Sequence, residues 1–170
     1  MELKLEFRVA RQEDAGPIME IIRSAQRRLA AAGIDQWQNG YPNRPRVEED
    51  IERGYGRVLL LGGAVVGYAA LTYDGERAYD DLTGGHWLTP TDSHYLTIHR
   101  LSVADKVVGT GLGRGVMLEA EREARGRVGS IRVDTHPDNL TMQGLIGSLG
   151  YRYCGRVMYE SPRLAYEKTL

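Results

Sequence analysis

Three glycines at alternate positions, Gly109, Gly111 and Gly113, lie in the run V-A-D-K-V-V-G-T-G-L-G-R-G-V from Val103 to Val116. A strand-like pattern ends before them and a helix-like pattern begins after them. Glycine lets the backbone turn sharply and bring its N–H groups close to a ligand. A helix start adds donors without intrahelical partners and the positive end of the helix dipole. Phosphate or pyrophosphate is the natural occupant of such a place. A glycine-rich turn with no ligand is the plain alternative, and the loop alone leaves both open. Spacing rules out the best-known anion loops. G-x-G-x-x-G fails, because its last position falls on Arg114 when counted from Gly109 and on Val116 when counted from Gly111. No Gly-Lys pair exists for a P-loop. The nucleophile elbow G-x-S-x-G fails at Ser148, which has Gly150 after it but Ile146 before it.

The elements around this loop can be read from periodicity. Leu3 to Val9 alternates apolar and charged residues and predicts a half-buried strand. Asp14 is placed to cap a helix from Ala15 to Ala32, with Pro17 in its first turn and Gly33 at its end. Ile34 to Arg46 reads as an ordered loop and Val47 to Arg53 as a short acidic helix. Arg57 to Leu61 and Ala64 to Tyr73 form a hairpin around Gly62-Gly63. Asp74 to Ser93 is a long connection without a clear period, of a kind that is often functional. Then come a strand from His94 to Val103, a helix from Gly111 to Gly126, a strand from Ile131 to Thr135 and a short helix from Asn139 to Leu149. Tyr151 to Tyr159 and Leu164 to Lys168 read as final strands. The order predicts an α/β (α+β) fold. It has a mixed central sheet of about seven strands, about four flanking helices and one βαβ crossover. The whole chain, 1–170, reads as one domain.

Composition narrows the class. The chain carries 22 basic and 23 acidic residues, a net charge of -1, which gives no support for nucleic-acid binding. No targeting or membrane segment is apparent, since the longest apolar stretch, Val58 to Leu71, is broken by Gly62, Gly63 and Gly67. The single cysteine, Cys154, reads as a small buried hydrophobe and suits a cytoplasmic location. His86, His94 and His136 show no metal-ligand spacing, so no metal is expected. A homodimer stays open.

With these motifs in place, the chain resembles the GNAT acetyltransferase superfamily. That family carries R/Q-x-x-G-x-G/A between its fourth strand and third helix. Here the frame is Val108-Gly109-Thr110-Gly111-Leu112-Gly113, with Val108 in place of the usual Arg or Gln. Upstream, I-H-R-L-S-V from Ile98 to Val103 matches the fourth strand. Downstream, D-T-H-P-D-N-L-T-M-Q-G-L-I-G-S-L-G-Y from Asp134 to Tyr151 matches the second coenzyme motif. The resemblance runs nearly end to end. It implies a GNAT fold with splayed fourth and fifth strands, and an acetyl group moved from acetyl-CoA to a small acceptor, read here as a primary amine. Backbone groups of Leu101, Ser102 and Val103 would pair with the pantetheine arm. The N–H groups from Gly109 through Thr110, Gly111, Leu112 and Gly113 to Arg114 would hold the pyrophosphate, and Asn139 would reach the pantetheine. Relatives build the acceptor pocket from the loop after the first helix and the loop before the fourth strand, which points to Trp37, Tyr41 and Tyr79. A lid over the core is the alternative role for these aromatics. A coenzyme A-binding sensor without transfer activity is the alternative reading of the whole protein.

An alkylamine has a pKa near ~10.4, so a base or a desolvating pocket must supply its neutral form. The resemblance points to the fourth strand for the base. His99 is the residue there whose imidazole, with an ordinary pKa near ~6.5, suits the task. A core histidine bonded to a carbonyl is the equal alternative. Strand alternation puts His99 on one face with Thr97 and Leu101, and Arg100 on the other. There Arg100 is due either a buried ion pair or an acceptor contact. The position at which many relatives carry a tyrosine general acid is Ile146.

Overall fold

The computed structural model describes residues 2–170. The strands are β1 (Leu5–Val9), β2 (Gly56–Leu61), β3 (Ala64–Thr72), β4 (Tyr95–Val103), β5 (Ser130–Thr135), β6 (Arg152–Met158) and β7 (Pro162–Thr169). The helices are α1 (Ala15–Ala31), α2 (Arg44–Glu52), α3 (Leu112–Ala124) and α4 (Leu140–Ser148). The strands form one seven-stranded mixed sheet in the order β1-β2-β3-β4-β5-β7-β6. β4, α3 and β5 make the βαβ crossover, and the parallel β4–β5 ladder pairs Tyr95 with Ser130, Leu96 with Ile131 and Thr97 with Arg132. Ile98–Val103 of β4 lies beyond that ladder. Among the described residues no helix is long and apolar enough to cross a membrane.

The chain divides into two compact units. The first holds residues up to Leu71 together with His99–Ala120, and the second holds Thr72–Ile98 and Glu121–Leu170. In the first unit, Ile18, Met19, Ile21, Ile22 and Ala25 recur at helical spacing on α1, and all are buried. Ile18 and Ile22 pack with Val47 and Ile51 of α2, Val58 and Leu60 of β2 and Tyr68 of β3. Each fully buried aliphatic side chain of this kind contributes about 1.5–3 kcal/mol. α3 also packs on the sheet in this unit. A Cβ at Gly67 would stand 3.0 Å from Val116 Cγ2, so the helix approaches β3 as closely as only glycine allows.

Several local expectations need correction. Asp14 precedes α1 but makes no side-chain cap there. Its carboxylate accepts the Arg11 N–H at 2.7 Å and the Arg8 guanidinium at 2.7 and 3.1 Å. The burial expected along Leu3, Leu5, Phe7 and Val9 fails at three of the four. Leu3 is 61%, Leu5 51% and Val9 50% exposed, because β1 is the edge strand and pairs only with β2. α2 starts three residues before the expected Val47. Asn43 caps it by accepting the Arg46 N–H at 3.1 Å, and Pro45 fits its first turn, where its missing N–H is not needed. The connection expected to be irregular contains a 3-10 turn at Arg77–Asp81, capped by Glu76.

The second unit is centred on a buried polar and aromatic cluster. Glu167 of β7 is 0% exposed and its carboxylate is surrounded by donors. They are Ser130 Oγ at 2.7 Å, Thr89 Oγ1 at 2.5 Å, Arg132 Nε at 3.2 Å, and the N–H groups of Leu88 at 2.6 Å and Thr89 at 3.3 Å. The Arg132 guanidinium lies 4.3 Å from the Trp87 ring centre and 4.0 Å from that of Tyr95. Burial opposes the charge on Glu167, but the Thr89 and Ser130 hydroxyls and the Arg132 guanidinium outweigh it and hold its pKa below the ordinary value.

Candidate active site

The glycine loop takes the form its spacing implied. β4 ends at Val103, a 3-10 turn covers Asp105–Val107, and α3 begins at Leu112. Gly109 and Gly111 have φ of 80° and 86°, the left-handed region that a side chain disfavours. A Cβ at either would meet nothing within 4 Å, so these glycines serve the backbone turn and leave open space beside it. The Thr110 hydroxyl donates to the Val107 carbonyl at 2.5 Å, and the Gly115 N–H donates to Gly111 at 3.0 Å as the first bond of the helix. The N–H groups of Leu112 and Gly113 stand in the first turn of α3, where no intrahelical acceptor exists. Val108, where an Arg or Gln was expected, is 50% exposed. The residues present suit a bound pyrophosphate: open space, left-handed glycines and first-turn donors meet at one helix start.

The end of β4 is pinned from two sides. The Ala104 N–H donates to Val66 of β3 at 2.8 Å. Arg28, in the last turn of α1, donates to the Val103 carbonyl at 3.0 Å and pairs with Asp105. Leu101 and Val103 are half-buried and Ser102 is buried. Sequence reasoning passed over Arg28; its place one turn from the end of an otherwise apolar-faced helix was the available signal.

His99 is half-buried on β4. The next residue, Arg100, has φ of 56°, so the strand kinks there and the alternation expected to run from Thr97 through His99 to Leu101 is interrupted. Arg100 forms the buried ion pair that was one of its two expected roles. Its Nη2 and Nε donate to the Asp50 carboxylate of α2 at 2.6 and 2.8 Å, with side chains 8% and 1% exposed. Asp50 also accepts the Tyr68 hydroxyl at 2.6 Å. Burial opposes the charge on Arg100, but Tyr41 and Asp50 outweigh it and raise its pKa above the ordinary value.

The three aromatics assigned to an acceptor pocket are placed differently. Tyr41 is 36% exposed and its hydroxyl accepts from Arg100 Nη1 at 2.8 Å. Trp37 is half-buried with φ of 62°. Tyr79, by contrast, is 1% exposed in the second unit. Its hydroxyl donates to Asp134 at 2.6 Å, and its ring lies 5.2 Å from Trp87 and 6.3 Å from Tyr95. That is a core position in the 3-10 turn, not a loop surface. Asn139 caps α4, its Oδ1 accepting the Met142 N–H at 3.1 Å, and Ile146 is 1% exposed within that helix. Among the described residues no group of three or more His, Cys, Asp or Glu side chains could hold a metal ion.

The family model for the acetyltransferase (GNAT) family matches residues 19–151. A GNAT-family acetyltransferase from Streptococcus agalactiae is 36% identical, with 100% of this chain and 98% of that one covered and a TM-score of 0.90. The PaiA N-acetyltransferase of Thermoplasma acidophilum, solved in complex with coenzyme A, is 15% identical over 98% of this chain and 99% of its own, with a TM-score of 0.72. The Salmonella typhimurium protein yncA, solved with its cofactor acetyl-CoA, is 18% identical over 98% and 94%, with a TM-score of 0.70. No curated protein matches the chain. With the family model spanning most of the residues and the Streptococcus structure similar along its whole length, this chain belongs to the acetyltransferase (GNAT) family.

Proposed function

We propose that the chain transfers an acetyl group from acetyl-CoA to the primary amine of a small acceptor, by direct attack of the amine nitrogen on the thioester carbon. The observation that carries this reading is the glycine loop at the end of β4, with left-handed Gly109 and Gly111 opening onto the first turn of α3. When bound, acetyl-CoA supplies the activated acetyl group. The N–H groups from Gly109 to Arg114 hold the pyrophosphate, and the main chain of Leu101–Val103 pairs with the pantetheine arm. These contacts are main-chain, so Val108 in place of Arg or Gln does not remove them. Arg28 donates to the Val103 carbonyl and so fixes the end of this segment. Asn139, whose Oδ1 caps α4, is the further residue proposed to contact the pantetheine. His99 takes the proton from the attacking nitrogen, and Trp37 and Tyr41 contact the acceptor. Tyr79, buried and bonded to Asp134, supports its unit's core in this reading.

Acetyl-CoA is expected to raise the melting temperature, since a ligand present at a hundred times its Kd stabilises the folded state by about 2.7 kcal/mol. Gly111→Asp puts a carboxylate at the anion site and is expected to abolish most of that shift. The control is Gly63→Asp, at a φ of 83° with equally open space in the β2–β3 turn. It carries the same backbone strain and charge and should keep the full shift. Equal shifts in the two folded variants would refute the anion site. Thiol release from acetyl-CoA, monitored over a panel of primary amines, tests the transfer. Binding without thiol release from any amine would make the chain a coenzyme A-binding partner instead.

A further inference from the structure

Arg100 is an arginine in the middle of a strand with φ of 56°. An L-residue in this region carries a steric penalty that only its surroundings can offset. Here the surroundings are a buried polar network. The guanidinium is bonded twice to Asp50, and Asp50 is itself fixed by Tyr68 of β3 and carried on the buried face of α2 beside Val47 and Ile51. The third arm of the guanidinium reaches the Tyr41 hydroxyl in the segment before α2. No other non-glycine strand residue among those described has a positive φ.

A kink of one residue changes the course of the strand beyond it. Strand side chains and peptide groups have a period of two, so an interruption at position 100 decides which way the N–H and C=O groups of Leu101–Val103 point. We propose that Arg100 is a positioning residue: its ion pair with Asp50 holds β4 in the left-handed kink beside His99 and thereby aims the main chain of Leu101–Val103 at the coenzyme. Asp50 acts through Arg100 in the same sense, as the anchor on α2. The inference rests on the proposed coenzyme role of Leu101–Val103, while the kink itself can be measured without any ligand.

The test compares side chains at position 100 that differ in their tolerance of positive φ. Arg100→Gly adopts it freely, and Arg100→Val, being β-branched, resists it. Both leave Asp50 without its guanidinium, so the difference between them reports the backbone. Acetyl-CoA Kd, measured by calorimetry, is expected to be about tenfold weaker in Arg100→Val than in Arg100→Gly, in step with the population of the kinked state. Asp50→Asn is expected to weaken binding with Arg100 in place, and Asp50→Asn combined with Arg100→Gly to recover it. A general loss of stability would not produce that recovery. The second readout is the backbone φ at position 100 from NMR couplings and Cα shifts of the ligand-free protein. It should stay left-handed in wild type and Arg100→Gly and become extended in Asp50→Asn. Should Arg100→Val fail to fold, the Asp50→Asn pair decides the matter alone. Equal Kd values for Gly and Val, or a left-handed φ retained in Asp50→Asn, would overturn the proposal. A wild-type protein that ignores acetyl-CoA would overturn the functional reading, and the φ measurement would still decide what holds the kink.

Discussion

A His99→Gln enzyme is expected to lose roughly 10²–10⁴-fold in kcat/KM while keeping its acetyl-CoA melting shift. The loss is that of a positioned general base. The shift survives because the coenzyme contacts proposed for β4 are main-chain. His99 is half-buried on β4, adjacent to the kink at Arg100. If the imidazole takes the proton, the Gln variant must lose rate with the best amine while it binds acetyl-CoA as the wild type does. Ile146, 1% exposed, is a hydrocarbon side chain with no proton to give, so it takes no part in the proton transfer. A folded His99→Gln protein with a near-normal rate would remove His99 from the mechanism. Desolvation of the amine would then be the better account. The measurement requires only the best amine from the thiol-release panel.

Glu167→Ala is expected to destabilise the protein by about 3–5 kcal/mol, the usual cost of removing one member of a buried ion pair. The variant strands the Arg132 guanidinium, 3% exposed, and leaves the donors of Leu88, Thr89 and Ser130 without their acceptor. Replacing both partners, as in Glu167→Leu with Arg132→Met, should cost clearly less than the sum of the single losses, because no uncompensated charge stays behind. The same carboxylate makes stability depend on pH. Its folded pKa lies below the ordinary value of about 4.3, so the unfolded chain binds its proton first as pH falls. The contribution of Glu167 is therefore complete above that value and is lost progressively below it, as pH drops through the folded pKa. Asp14, held low by the Arg8 guanidinium and the Arg11 N–H against the opposing effect of burial, acts in the same direction. Urea midpoints measured at neutral pH and near pH 3 would check this: the gap between wild type and Glu167→Ala should narrow in acid. A gap that stays constant would mean that packing, not charge, accounts for the cost.

The sequence by itself determined the glycine loop between β4 and α3 and the order of the elements. Both are local matters: glycine spacing dictates where the backbone can turn, and apolar periods of 2 and 3.6 dictate strand or helix. Hence α1 was placed to within one residue at its end, the Gly62-Gly63 hairpin was read from its turn, and Gly109 and Gly111 carry the left-handed φ that their loop requires. The chain holds one further local clue: Asp50 shares the apolar stripe of Val47 and Ile51, and an acid on a buried face demands a buried cation. What only the tertiary structure decided depends on partners distant in the chain. Arg100 is bent out of the strand pattern by a carboxylate fifty positions earlier, a contact that no period encodes. Tyr79 and Glu167 take core positions because Asp134 in one case and Arg132 with the Thr89 segment in the other satisfy their polar atoms, and without those partners neither could be buried. Leu5 and Val9 remain in solvent for the complementary reason: alternation marks a face as apolar, but only the packing of other elements against the sheet decides whether anything covers it.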